Sequence, residues 1–153
     1  MAQRTMQVPP ALYETDETAW LEAMAELIDE GRLDELDYPH LCEYLTDMAR
    51  RDRREVESRL TVLLTHLLKW EHQPERRSRS WRTSAVVQRQ ELAGLASTGV
   101  LRSHADAVLS QCYAHAVERA SAETGLPAET FPSECPYTLE QLLTEDLLGT
   151  EPG

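Results

Sequence analysis

The sequence is poor in most of the features that announce a chemistry. It holds one phenylalanine, and aromatic residues make up only 6% of the chain. Leucine and alanine supply most of the apolar content, which favours helices over strands. No run of 18 apolar residues occurs and the opening MAQRTMQVPP has no apolar core, so neither a membrane span nor an ordinary secretion signal is expected. Cys42, Cys112 and Cys135 are odd in number, far apart and without a CxxC pair. That spacing excludes a disulfide framework and points to reduced thiols in a cytoplasm. Glycine-rich phosphate loops, a GxSxG elbow and an HExxH pair are absent, as are internal repeats and low-complexity tracts. Neither a metal nor a cofactor is expected.

What is present is charge, unevenly spread. The net charge is −12. Residues 1–49 carry 12 acids and two arginines, a net of −10. Residues 50–90 carry ten arginines and Lys69 against five acids, a net of +6. Residues 91–153 return to −8, with ten acids and two arginines. A basic middle between acidic flanks suits either an anion-binding surface or a chain whose own parts attract each other. Lys69 is the single lysine; arginine forks pair with carboxylate or phosphate in two-point fashion.

With 41% apolar residues, the 153-residue chain fits one domain with a real core. Residues 1–12, with Pro9 and Pro10, read as a flexible N-terminal arm, 13–149 as a single all-helical domain, and 150–153 as a tail. Thr15 or Asp16 caps a first helix bearing Trp20, Met24, Leu27 and Ile28, which Gly31 stops. Asp37 caps a second, with Leu41, Leu45 and Met48 on one face. Asp52 with Glu55 resembles a capping-box restart, leaving open whether the helix breaks at Arg50–Asp52 or runs on. The strongest stripe follows: Val56, Leu60, Leu63, Leu64, Leu67 and Leu68, widened by Val62 and Trp70. Pro74 ends it. Ser78 or Ser80 opens a helix that fades at Gly99; another runs from about Ser103 to Gly125. The Pro-rich LPAETFPSECPY packs as an ordered loop around Phe131. Thr138 and Gln141 form a capping box for a last short helix through Leu147, stopped by Gly149. The expected fold is all-α, an antiparallel bundle of about five to six helices.

Two stretches carry a family resemblance: ESRLTVLLTHLLKWEHQPERRSRSW at 57–81 and ETGLPAETFPSECPYTLEQLL at 123–143. Both closely resemble the bacterial family called "domain of unknown function 29". The upstream YETDETAWLEAMAELIDEGRLDELDYPHLCEYL, residues 13–45, fits the family's N-terminal half more loosely. The likeness runs from about Tyr13 to Leu148. Ala49 departs from the family, where glycine is common. The resemblance implies an all-helical bundle; it brings no activity and no catalytic residues with it.

Candidate chemistry is therefore sought residue by residue. Cys112 and His115 have a spacing that two metal ligands use, but no third ligand stands near them in sequence, and a core thiol with a boundary histidine accounts for the pair. His104 lies on the same edge. Arg59 and His66 fall about 20° apart on one helix side. An arginine followed by six residues and a histidine resembles the RNase motif of the HEPN superfamily, in which the pair would stabilise a phosphoryl-transfer transition state and move a proton. The structural alternative pairs Arg59 with Glu55 one turn away and His66 with a carboxylate of the second helix, such as Glu43 or Asp47, across the bundle. Arg76, Arg77, Arg79 and Arg82, with Trp81 among them, form the densest cationic cluster and are anion-binding candidates at a helix start. Internal pairing with acids of the same chain is the other reading, and the charge of −12 opposes non-specific nucleic-acid binding.

Three functions stay open. The leading one is a non-enzymatic interaction or regulatory module with a protein partner or a second copy of itself. The second is an RNA- or phosphate-binding module using Arg76–Arg82. The third is a metal-independent nuclease using Arg59 and His66.

Overall fold

A computed structural model describes residues 8–149; residues 1–7 of the expected arm and the expected tail 150–153 lie outside the described residues. Among the described residues there are six α-helices, three short 3-10 turns and no strand. The all-α expectation holds. The chain divides into two compact units, Met1–Ala49 and Arg50–Gly153, each with its own apolar cluster.

The first unit contains α1 (Leu12–Thr15), α2 (Glu17–Asp29) and the start of α3 (Tyr38–His72). The Asp16 carboxylate caps α2 by accepting the Ala19 N–H at 3.1 Å. Gly31, at φ +72°, takes the left-handed turn that ends α2. The Arg32 N–H then reaches the Leu27 carbonyl and the Gly31 N–H that of Ile28, a Schellman closure. Trp20, Met24 and Leu27 are buried, and Val8, Leu12, Leu36, Leu41 and Tyr44 pack on them. Val8 and Leu12, read as part of the arm, thus take part in this cluster. Ile28 and Leu45, expected on buried faces, are 52% and 64% exposed. Each falls at the edge of its helical arc, beside the residues that touch the cluster.

The second unit holds the rest of α3, α4 (Arg79–Ala96), α5 (Gly99–Thr124) and α6 (Leu139–Thr144). No glycine or proline interrupts residues 41–73, and α3 continues through Arg50–Asp52 without a break. The stripe from Val56 to Leu68 is buried along its length; each such leucine contributes about 1.5–3 kcal/mol by leaving water. Leu92, Ala96, Ala105, Cys112, Ala116, Ala120, Leu139 and Leu142 complete the core. Pro74 stands just past α3 as expected. The Ser78 hydroxyl caps α4 through the Trp81 N–H at 3.2 Å, and Thr138 and Gln141 form both bonds of the capping box on α6. α5 starts at Gly99, not near Ser103, because Gly99 adopts φ +75° and turns the chain directly out of α4. Phe131, 4% exposed, anchors the Pro-rich segment.

Candidate functional site

A groove of about 1100 Å³ lies in the second unit between α5 and the segment after Gly125. Leu109, Tyr113 and Val117 of α5 form one wall, and Phe131, Pro132, Cys135 and Tyr137 the other. The residues are tied in place rather than loose. The Tyr113 hydroxyl donates to the Pro132 carbonyl at 2.6 Å, and that of Tyr137 to the Glu71 carboxylate at 2.7 Å. The His72 ring stands edge-on to Phe131 with centroids 5.0 Å apart. Burial, with Cys135 and Glu71 nearby, pushes the Tyr113 phenol up to about 12. Burial and the Glu71 carboxylate push Tyr137 up further. Burial likewise raises the Cys135 thiol, whose Sγ–H donates to the Tyr137 carbonyl. At neutral pH the groove therefore offers phenols and a thiol, with no activated nucleophile among them. Glu129 and Glu134 line it and, among the described residues, no Lys or Arg does. Such a surface is suited to holding an apolar and cationic chain segment.

The four arginines of the predicted cluster do not converge. Arg77 donates from Nε to the Trp70 carbonyl at 2.7 Å and lies over the Trp70 ring, 5.0 Å from its centroid. It thereby caps the carbonyl end of α3 with a positive charge. Arg82 pairs with Asp146 at 2.6 Å and donates to the Gly149 carbonyl, which pins the chain beyond α6. Arg76 and Arg79 are exposed, with no carboxylate within 4 Å among the described residues. Trp81 lies under the Lys69 ammonium, 4.7 Å from its ring centroid, and Lys69 also pairs with Glu123 at 3.0 Å. Two of the four arginines act within the fold and two face solvent.

Arg59 and His66 meet different surroundings. Arg59 is held by Glu55 at 3.0 Å and by the Gln88 side chain at 3.2 Å, with Glu91 at 3.9 Å. His66 lies in the field of Lys69, Glu123 and Arg119, and burial, then Lys69, lowers its pKa. Its Nδ1 is buried with no hydrogen-bond partner, so the carboxylate pairing read from the sequence is not made at that atom. The cleft beside Arg59 does not include His66. Cys112 is buried and its Sγ–H donates to the Glu57 carbonyl at 3.6 Å; burial raises its thiol. His115 shares a cleft of about 310 Å³ with Cys112, Glu57 and Arg119. His104 approaches Glu57 at 3.7 Å. Among the described residues, no three His, Cys, Asp or Glu side chains gather as metal ligands, and no helix is long and apolar enough to cross a membrane.

Tyr113 and Tyr137 of the groove, and Arg51 and Arg54, which line the cleft beside Arg59, belong to no motif read from the sequence. Tyr113 stands between Cys112 and Ala116 on an expected buried stripe, which was its available signal. Arg51, Arg54 and Ser58 follow at helical spacing, which would have placed them on one face.

A family model described as "Domain of unknown function DUF29" matches residues 12–148. No curated protein and no solved structure matches the chain.

Proposed function

We propose, for a chain that belongs to the DUF29 family, that it is a non-enzymatic interaction module whose groove between α5 and residues 126–138 takes a basic, partly apolar segment of a partner protein. The carrying observation is the groove itself: Tyr113 on one wall with Phe131 and Tyr137 on the other, Glu129 and Glu134 in the lining, and no cation there among the described residues. Tyr113 and Phe131 are each 4% exposed, so half-buried Leu109, Val117 and Tyr137 supply the apolar contact, and the acids select the sign of the partner. The engaged Arg77 and Arg82 and the separate surroundings of Arg59 and His66 leave the interaction reading with the better-formed site. The free thiols Cys42, Cys112 and Cys135 suit a reducing cytoplasm.

Fluorescence polarisation with a labelled peptide of alternating Arg and Leu, and with its Glu–Leu counterpart, tests the reading. The basic peptide binds, the acidic one does not, and Glu129→Lys with Glu134→Lys abolishes binding without moving the thermal melt. Equal affinity for both peptides, or binding untouched by the charge reversal, refutes it. So does a wild-type chain that fills the groove with a second copy, seen as a dimer that Glu134→Lys dissociates.

A further inference from the structure

A second concavity lies beside Arg59, between α3 and α4, with a volume of about 500 Å³. Its chemistry is opposite to that of the groove. Arg51 and Arg54 stand on its lip, both exposed and both without a carboxylate within 4 Å among the described residues. Arg59, Ser58 and Val62 line it as well, together with Glu55 and Gln88. Arg59 is held by two of these neighbours: Glu55 accepts from Nε and pairs with Nη2, both at 3.0 Å, and the Gln88 side-chain carbonyl accepts from Nη1 at 3.2 Å. A guanidinium has five N–H donors, and the recorded hydrogen bonds from Arg59 use the one on Nε and one on Nη1. The acids nearby are already used, Glu55 by Arg59 at 3.0 Å and Glu91 at 3.9 Å from the same group.

We propose that this cleft binds the phosphate groups of a small di- or triphosphate ligand, gripped by the Arg51 and Arg54 forks and oriented by the braced Arg59. Arginine forks match phosphate oxygens in two-point geometry. The Ser58 hydroxyl offers a further donor and Val62 an apolar contact for the rest of the ligand. A small ligand is favoured over a nucleic-acid strand by the overall charge. The net charge of −12 repels a long polyanion more than a compact one. The site is independent of the groove and does not depend on what occupies it.

Isothermal titration of the full chain with inorganic triphosphate at low salt is the first measurement, with a short oligouridylate as the second arm. Triphosphate binds, and affinity falls about tenfold for each arginine removed in Arg51→Ala and Arg54→Ala. The melting temperature stays unchanged, since neither side chain has a hydrogen-bond or ion-pair partner among the described residues. Arg59→Lys, which keeps the charge and loses the fork, also weakens binding. No heat with wild type, or full binding by the Arg51→Ala, Arg54→Ala double variant, overturns the proposal. Loss of binding in Arg76→Ala with Arg79→Ala, and not in the α3 variants, overturns it too. Tighter binding of oligouridylate than of triphosphate overturns the small-ligand class.

Discussion

The Trp20 indole N–H donates to the Asp37 carboxylate at 3.1 Å, joining the most buried aromatic of the first unit to the residue that starts α3. Asp37 also accepts from the His40 backbone N–H at 3.4 Å and contacts the His40 ring at 2.6 Å. One carboxylate thus serves as helix cap and as anchor for a core tryptophan. Burial alone would raise the Asp37 pKa, but the bonds from His40 and Trp20 outweigh it and hold it below the usual value.

Asp37→Ala is expected to lower stability by about 1–3 kcal/mol, because it removes the cap and orphans the buried indole N–H. The depressed carboxylate gives a defined acid response. Its contribution is complete above the ordinary aspartate value near 4 and is lost as pH falls through the lower folded value. Urea melts of wild type and Asp37→Asn across that acid range check this: the wild type loses stability that the variant does not have to lose. Parallel pH profiles would end the argument.

The contrast between Leu64 and Leu45 yields a second expectation. Leu64 is fully buried on α3 and Leu45 is 64% exposed on the same helix. Leu64→Ala costs about 2–5 kcal/mol, as a cavity in a packed core. Leu45→Ala stays within about 0.5 kcal/mol, the range for surface changes. Thermal melts of the two variants decide it, and similar shifts would place Leu45 in a buried interface in solution.

These two leucines also mark what the sequence could disclose. Local signals were legible: the Ser78 cap, the Thr138–Gln141 box, the Gly125 stop and the Val56–Leu68 stripe each depend on neighbours within a turn or two. Leu41 and Leu45 are equally apolar and four residues apart, and the place of the Trp20, Met24 and Leu27 cluster decides which one is covered. Continuity through Arg50–Asp52 was ambiguous because aspartate both caps helices and tolerates their interiors, and no glycine or proline was there to force a break. The groove lay beyond reach for a different reason. Tyr113 and Tyr137 are 24 positions apart, and their convergence depends on Phe131 being buried behind the chain that joins them. The arginine cluster was visible as composition, yet the partners of Arg77 and Arg82, the Trp70 carbonyl and Asp146, are set by tertiary packing.

His66 provides a third expectation. Its folded pKa is lowered by burial and by Lys69, so the folded state resists its protonation. Stability is then complete above the ordinary histidine value of about 6.5 and declines as pH falls toward the lower folded value. His66→Phe removes that decline, and because the buried Nδ1 has no partner, the variant is as stable as wild type or more so at neutral pH. Melts between about pH 8 and pH 5 check both points. A variant that melts much earlier at neutral pH would show that the imidazole makes a bond on which the fold depends.

The arginines past α3 give the last expectation. Arg82 holds Asp146 and the Gly149 carbonyl, whereas Arg76 and Arg79 hold nothing among the described residues. Replacing Arg82 by Ala frees the segment after α6, on which the buried Leu148 depends for its seat. A partly exposed ion pair contributes only about 0–1 kcal/mol and is screened by salt, so the loss is small and shrinks as salt rises. Amide hydrogen exchange is the sharper measurement, since it reports local opening without global unfolding. Arg82→Ala should speed exchange across residues 145–149 while Arg76→Ala and Arg79→Ala leave that segment unchanged. Uniform exchange in all three variants would mean that apolar contacts of Leu148 alone hold the segment and that Arg82 is as free for a ligand as its two neighbours.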